Sequence, residues 1–248
     1  MYQLLSSTRY DELLLSLGWN NDETDGVSSP LMLLQYHCER LRDAVVQHGW
    51  NRAGESISYE KLKEECVEAV KIAKGQGEDT SFRIRITLSE AGELSVTASP
   101  VPQFTSDPLS ASEIDPESYQ GPYISLSLDT QPTPSSVFTS TKTTQREDYD
   151  SARSRAGLTS YIQPADVLLF NQDSLITETS IANVAFWRDG SWVTPAASTG
   201  CLPGVIRRFL LEQGRVKEGI IRKEDVKNDE AVLVFNGVKG CLLGRVQM

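Results

Sequence analysis

Apolar and polar positions change their period several times along the chain. LLSSTRY (4–10) reads as a strand, and the polar, turn-rich NNDETDGVSS (20–29) as a loop. From Ser29-Pro30 onward, Leu31, Leu34, Cys38, Leu41 and Val45 recur at helical spacing until Gly49 ends the run. SYEKLKEECVEAVKIAKG (58–75) is the clearest amphipathic helix. It starts polar, places Leu62, Cys66, Ala69, Val70 and Ala73 on one side, and ends on Lys71, Lys74 and Gly75. The period then falls to two. FRIRITLS (82–89) and ELSVTAS (93–99) predict a hairpin with Arg83 and Arg85 on one face. Residues 100–121, broken by Pro100, Pro102, Pro108 and Pro116, read as an extended crossover, and YISLSLD (123–129) as a strand. QPTPSS (131–136) reads as an extended linker.

The second half predicts a helix over REDYDSARSRAG (146–157) and strands over DVLLFN (166–171), SIANVAFWRD (180–189) and SWVTPA (191–196). Asp189-Gly190 forms a two-residue hairpin signal between the last two. A short helix follows at GVIRRFLLEQG (204–214), then a strand and polar turn in VKEGIIRKEDVKN, a buried strand AVLVFNG (231–237) and a last strand CLLGRV. Strands with interspersed helices in two unequal halves indicate an α+β protein. The expected division is a small α/β domain over 1–130, a linker at 131–137 and a larger domain over 138–248.

The 248 residues are ample for a sizeable core. With 39% hydrophobic and 23% charged residues the chain is neither disordered nor a membrane protein, and no apolar run approaches the roughly 20 residues that span a bilayer. The N-terminal stretch has no basic region before an apolar block, so no secretory signal is expected. Cys38, Cys66, Cys201 and Cys241 lie far apart without CxxC spacing. That argues against a metal site or a disulfide framework and suits reduced thiols in a cytoplasmic enzyme. Lys and Arg number 24 against 34 Asp and Glu, a net charge of -10, which disfavours a nucleic-acid binder. An anionic small molecule remains compatible, because a few local cations can outweigh the global field.

Four segments carry candidate chemistry, and each also has a plainer reading. Arg40, in YHCERL, has a fork of donors that suits a phosphate; the plainer reading is a solvated helical arginine, and His37 beside it reads as a packing residue. Lys142 lies among small hydroxyl residues in FTSTKTTQR (138–146), an uncrowded setting for a lysine that joins a carbonyl covalently, or a surface lysine in a Ser/Thr loop. Glu178 interrupts an apolar, hydroxyl-rich stretch. If buried it needs a partner, and a protonated pyridine nitrogen is one; if on an edge strand it faces water. Gly200-Cys201-Leu202-Pro203-Gly204-Val205-Ile206 is a turn running into a helix, where free N–H groups suit a phosphate and Gly204 permits close approach, or it is ordinary helix initiation.

In this combination and order the segments resemble the class IV aminotransferase family, the pyridoxal-phosphate (PLP) enzymes of fold type IV, which includes branched-chain and D-amino-acid transaminases and 4-amino-4-deoxychorismate lyases. The resemblance covers most of residues 4–248. It is strongest at STRYD (7–11), YHCERL (36–41), KTTQREDYDSAR (142–153), ITETSIANVAF (176–186), CLPGVIRR (201–208) and VFNGVKG (234–240). STRYDELLLS, LLQYHCERL and SLDTQPTPSSVFTSTKTT are similar to the fungal-type aminodeoxychorismate lyase branch.

The resemblance implies a two-domain fold with a larger pseudo-barrel domain and PLP as cofactor. Lys142 takes the place of the lysine that carries the cofactor, and Glu178 of the carboxylate on the pyridinium nitrogen. Arg40 matches the phosphate-binding arginine, and Gly204, Val205 and Ile206 the turn whose amides hold the phosphate. Asn236, Gly237 and Val238 fall at a second phosphate-side loop, where transaminases often carry a hydroxyl that Val238 lacks. Relatives usually carry two further strands before the segment matching LLSSTRY, so a shorter small-domain sheet is expected. The implied activity is lyase chemistry on 4-amino-4-deoxychorismate, giving 4-aminobenzoate and pyruvate for folate precursor synthesis. The alternatives are a class IV aminotransferase acting on a branched-chain or D-amino acid or an amine, and an interaction protein that keeps the fold without the chemistry. The substrate is anionic, with Arg83, Arg85, Arg146 and Lys239 as candidate partners, and the family implies a homodimer.

Overall fold

The computed structural model describes residues 1–22, 24–75 and 77–248. The chain divides into two compact units, one of Met1–Asp107 with Thr141–Gln145, the other of Pro108–Ser140 with Arg146–Met248.

In the first unit, β1 (Leu4–Tyr10) pairs antiparallel with β2 (Phe82–Leu88), and β2 with β3 (Leu94–Pro100). Alternation puts Leu4, Ser6 and Thr8 of β1 and Ile84, Ile86 and Leu88 of β2 on one buried face. Helices α1 (Leu34–His48) and α3 (Tyr59–Lys74) supply the rest of this core through Leu34, Cys38, Leu41, Leu62, Cys66 and Val70, with the short α2 (Asn51–Gly54) between them. Ser58 caps α3 by accepting from the Lys61 N–H, and Gly49 ends α1 in the left-handed region at φ 68°. The first helix begins at Leu34, later than its periodicity suggests. Leu33 turns left-handed at φ 48°, while Leu31 bridges to Tyr10 and the Met32 N–H donates to Arg9 O.

The second unit is built on one sheet. Its members are β4 (Ile124–Leu128), β5 (Ala165–Phe170), β6 (Ile176–Thr179), β7 (Asn183–Arg188), β8 (Ser191–Pro195), β9 (Val216–Gly219), β10 (Ala231–Asn236) and β11 (Gly240–Gln247), in the order β6-β5-β4-β11-β10-β7-β8-β9. The helices are α4 (Val137–Ser140), α5 (Glu147–Arg155) and α6 (Val205–Glu212). β6 is an edge strand and β7 lies deep in the order, yet only residues 180–182 join them, so the sheet must curl. The curl closes: after β9, Ile221 O accepts from the Ile176 N–H and the Lys223 N–H donates to Ser174 O, both at 2.8 Å. The enclosed space is filled by Leu126, Leu168, Phe170, Ile176, Val184, Phe186, Val232, Val234 and Val246, matching the expected pseudo-barrel. Outside it, Tyr149 and Ala152 of α5 pack on Val167 and Leu169.

Two expectations need revision. The division does not fall at 131–137. β4 pairs in parallel with both β11 and β5, so residues assigned by sequence to the small domain fill the centre of the large sheet. Thr141–Gln145 returns to the first unit because it satisfies the open edge of β1: the Leu5 N–H donates to Lys142 O at 2.8 Å and the Thr144 N–H to Gln3 O at 2.9 Å. The strand expected over 180–189 starts later, at Asn183, behind a turn. Thr179 and Ala182 close a turn through a backbone bond at 2.8 Å and the Thr179 hydroxyl, which leaves Glu178 on its own short strand. The Asp189-Gly190 turn forms as expected, with φ 49° and 74°. Among the described residues, no helix is long and apolar enough to cross a membrane, and no group of three His, Cys, Asp or Glu side chains is placed to hold a metal ion.

Gly240 (φ 70°) and Gly157 (φ 68°) offer a test of backbone packing. A Cβ on Gly240 would overlap the Pro108 carbonyl, whereas Gly157 faces open space. Gly157→Ala is expected to cost about 1 kcal/mol, the left-handed penalty alone, and Gly240→Ala more than about 3 kcal/mol, as read by urea unfolding. Equal losses would show that the Pro108 contact does not constrain the fold.

Candidate active site

The predicted site residues fall into two groups, one in each unit. In the first unit, β1 and α1 bring Ser6, His37 and Arg40 together. Ser6 points into the core face, and α1 lies across that face. Arg40 Nη2 donates to Ser6 Oγ at 2.7 Å, and Ser6 Oγ lies 2.7 Å from His37 Nδ1. The His37 ring is fully buried. Burial, reinforced by the positive charges of Arg40 and Lys142, holds its pKa well below the ordinary 6.5. Its Nε2 has no hydrogen-bond partner among the described residues. His37 is therefore more than the packing residue that its sequence context suggested. Lys142 is half-buried and anchored through its carbonyl on β1. The preceding Thr141 is braced by His48, whose Nε2 lies 2.8 Å from Thr141 Oγ1 and whose Nδ1 lies 2.8 Å from Tyr2 Oη.

In the second unit, Glu178 is 4% exposed, which favours the buried reading of this carboxylate over the edge-strand one. Its main visible support is Tyr149, whose hydroxyl donates to Glu178 Oε1 at 2.8 Å, with the Leu202 N–H further off at 3.4 Å. Burial, then the Glu178 charge, pushes the Tyr149 phenol far up, so it stays a donor. Burial and the same carboxylate also raise the Cys201 thiol. Arg146, Tyr149 and Arg153 all reach β6 or the turn after it. Arg146 Nη2 donates to Ser180 O at 2.7 Å, and Arg153 Nη1 to Ser180 Oγ at 3.0 Å with Asp166 alongside. Sequence reading passed over Tyr149, Arg153 and Ser6. The spacing of Arg146, Tyr149 and Arg153 along a helical stretch was the signal that could have found the first two.

Gly204 precedes α6, whose first turn provides Val205 and Ile206 N–H groups with no acceptor inside the helix. The glycine is required by a neighbour: a Cβ there would overlap Asn183 Oδ1, while Asn183 Nδ2 donates to Leu202 O at 2.8 Å. At the end of β10, Asn236 builds its own loop. Its Oδ1 accepts from the Val238 N–H at 3.0 Å and the Lys239 N–H at 2.9 Å, and its Nδ2 donates to Ile181 O at 3.3 Å. Of the three loop N–H groups at 237–239, the Asn236 carboxamide takes up all but that of Gly237. Asn183 pairs with Phe235, so Glu178, Gly204 and Asn236 sit around one rim of the sheet. Among the candidate substrate cations, Arg83 lies directly across from Arg9 and Arg85 from Ser7. Arg146 is committed to Ser180, and Lys239 is exposed beside a shallow recess that Asp166 and Asn236 also line.

Solved structures resemble this fold, and curated proteins resemble the sequence. A "Putative amino-acid aminotransferase" from Mesorhizobium loti superposes with TM-score 0.70 at 25% identity, covering 99% of this chain and 100% of that one. A "Putative aminodeoxychorismate lyase" of Schizosaccharomyces pombe is 34% identical over 226 residues, 88% of this chain and 85% of that protein. An "Aminodeoxychorismate lyase" of Saccharomyces cerevisiae is 32% identical over 207 residues, 71% of this chain and 54% of that protein. The fold and these relatives define an enzyme of the aminotransferase-like α+β class. Residues 25–244 match the family described as amino-transferase class IV, and the chain belongs to it.

Two outcomes are expected from the groups just described. Tyr149→Phe removes the hydroxyl that supports a buried carboxylate and is expected to cost about 1.5–3 kcal/mol in urea unfolding; an unchanged midpoint would show that Glu178 is held by other groups. His37 is neutral in both folded and unfolded chains above pH 6.5 and contributes nothing there. Below it, the unfolded chain takes up a proton that the buried ring refuses, so stability falls with pH by up to about 1.4 kcal/mol per pH unit. Between about pH 6.5 and 5 the unfolding midpoint of His37→Asn is expected to fall less steeply than that of the wild type, and parallel slopes would contradict it.

Proposed function

We propose that this chain is a PLP-dependent lyase that converts 4-amino-4-deoxychorismate to 4-aminobenzoate and pyruvate, a step towards folate. The observation that carries the lyase reading is the match across most of the chain to two yeast proteins, one named "Aminodeoxychorismate lyase" and the other "Putative aminodeoxychorismate lyase". The donor chemistry of the residues fits the cofactor. Arg40 and the N–H groups of Val205 and Ile206 suit its phosphate, the buried Glu178 suits its ring nitrogen, and Lys142 is the amine that would carry its aldehyde. An unsatisfied buried imidazole nitrogen beside Arg40 is further sign of a place shaped for a polar group.

When bound, PLP supplies an electron sink for the carbon that bears the substrate's amine. The chain's own contribution is position and proton traffic. Glu178, supported by Tyr149, would hold a proton on the ring nitrogen. Lys142 Nζ would take the proton from the amine-bearing ring carbon and act as the acid while the pyruvyl ether is lost. Aromatisation of the product supplies much of the driving force, so alignment is the larger share of what the protein must add. The Mesorhizobium loti likeness favours a second reading, an aminotransferase using the same Lys142, Glu178 and Arg40. The proposal extends to a symmetric homodimer in the cytosol; the four buried cysteine thiols are in keeping with a reducing compartment.

The test is to incubate purified protein and PLP with 4-amino-4-deoxychorismate and follow 4-aminobenzoate. Product is expected without a keto-acid acceptor, and Lys142→Ala is expected to lower the rate at least about 1000-fold. Borohydride reduction followed by peptide mapping is expected to find the cofactor on Lys142. Dependence on an acceptor would overturn the lyase in favour of the aminotransferase, and failure to take up PLP would overturn both.

A further inference from the structure

Ser6, His37 and Arg40 share one hydroxyl. Arg40 can only donate, so Ser6 Oγ accepts from Arg40 Nη2. The second bond, between Ser6 Oγ and His37 Nδ1, has two hydrogen arrangements. If Nδ1 carried the proton, Ser6 Oγ would accept twice, and its own hydroxyl would have no acceptor among the described residues. His37 Nε2 would be bare and unmatched as well. If Ser6 donates to Nδ1, the serine is fully used and one orphan remains, the Nε2–H. The second arrangement leaves fewer buried polar groups unmatched, and each of those is costly. It requires a neutral imidazole, which burial and the nearby Arg40 and Lys142 enforce. Among the described residues, the charged groups acting on this ring are Arg40 and Lys142.

From this geometry we infer that His37 is a positioning residue for Arg40: it takes the Ser6 hydroxyl proton, so that the Ser6 lone pairs face the guanidinium and hold it ready for a phosphate. The inference rests on the cofactor reading above and deepens it. Arg40 is half-buried on α1, and a long side chain there loses much rotamer freedom only if something holds its head. Ser6 does so from the strand that also carries Lys142 on its edge. Arginine holder and lysine segment are thus mounted on one strand, and one imidazole sets the direction of the hydroxyl between them.

The experiment compares PLP with pyridoxal, which has the same ring and aldehyde but no phosphate. Dissociation constants are measured by fluorescence titration of apo wild type, His37→Leu, His37→Asn and Ser6→Ala, with circular dichroism confirming that each is folded. His37→Leu and Ser6→Ala are expected to weaken PLP at least ten-fold and leave pyridoxal within two-fold. In His37→Asn the amide oxygen is again an acceptor, and PLP affinity is expected to recover most of the loss. Equal losses for PLP and pyridoxal would mark His37 as a packing residue and overturn the inference, as would unchanged PLP affinity in folded His37→Leu. If wild type binds PLP no better than pyridoxal, Arg40 holds no phosphate. If it binds neither, the cofactor reading itself fails and takes this inference with it.

Discussion

The Leu5 N–H to Lys142 O bond and the Thr144 N–H to Gln3 O bond decide where Lys142 sits. β1 is the outer strand of a three-stranded sheet, and its exposed backbone groups must find partners. By meeting that need, residues 142–144 become an extension of the sheet rather than a free loop. The lysine is then registered against a strand whose inward side chains are buried under α1. Ser6 is one of these, and α1 carries His37 and Arg40 at the height where they meet it. A lysine and an arginine far apart in sequence are thus placed by a few backbone bonds and one hydroxyl, at little cost in strain.

The second unit solves a different problem, the burial of a carboxylate. A buried charge without partners is costly. Tyr149 offsets that cost from α5, and the same helix secures the adjoining turn through Arg146 and Arg153. The closure of the sheet between 174–176 and 221–223 prevents β6 from fraying as an edge strand would, so Glu178 rides on a strand held on both sides.

Much of this was legible from residue order. Periodicity exposes α1 and α3 because their buried positions recur every three or four residues, and the hairpin of β2 and β3 because its alternation is strict. The return of 141–145 to the first unit was not legible. Pairing of 142–144 with β1 uses backbone groups that every residue has, and the central place of β4 depends on β11, near the other end of the chain. The break between β6 and β7 was hidden for a similar reason, since the threonine that closes it is also a good strand residue. His37 was underread because helical position explains burial equally well, and only coordinates reveal that its ring meets a serine on another element. At Gly204 the structure adds a reason that residue order does not carry: a Cβ there would overlap Asn183 Oδ1.

That last contact links two requirements of a single ligand. The peptide groups flanking Leu202 are divided between neighbours: its N–H points to Glu178 Oε1 at 3.4 Å, and its carbonyl accepts from Asn183 Nδ2 at 2.8 Å. Three residues on, α6 begins with its free N–H groups. The turn therefore ties the carboxylate suited to a ring nitrogen and the amides suited to a phosphate into one rigid piece. A heteroaromatic phosphate allows only a limited range of distances between its ring nitrogen and its phosphorus, so its affinity depends on holding both ends within that range. A glycine at 204 is what lets the turn lie against Asn183 closely enough to hold it, and a side chain there would push the helix end away from the acid. The constraint on residue 204 thus comes from the fold, but its effect would be felt at the proposed ligand.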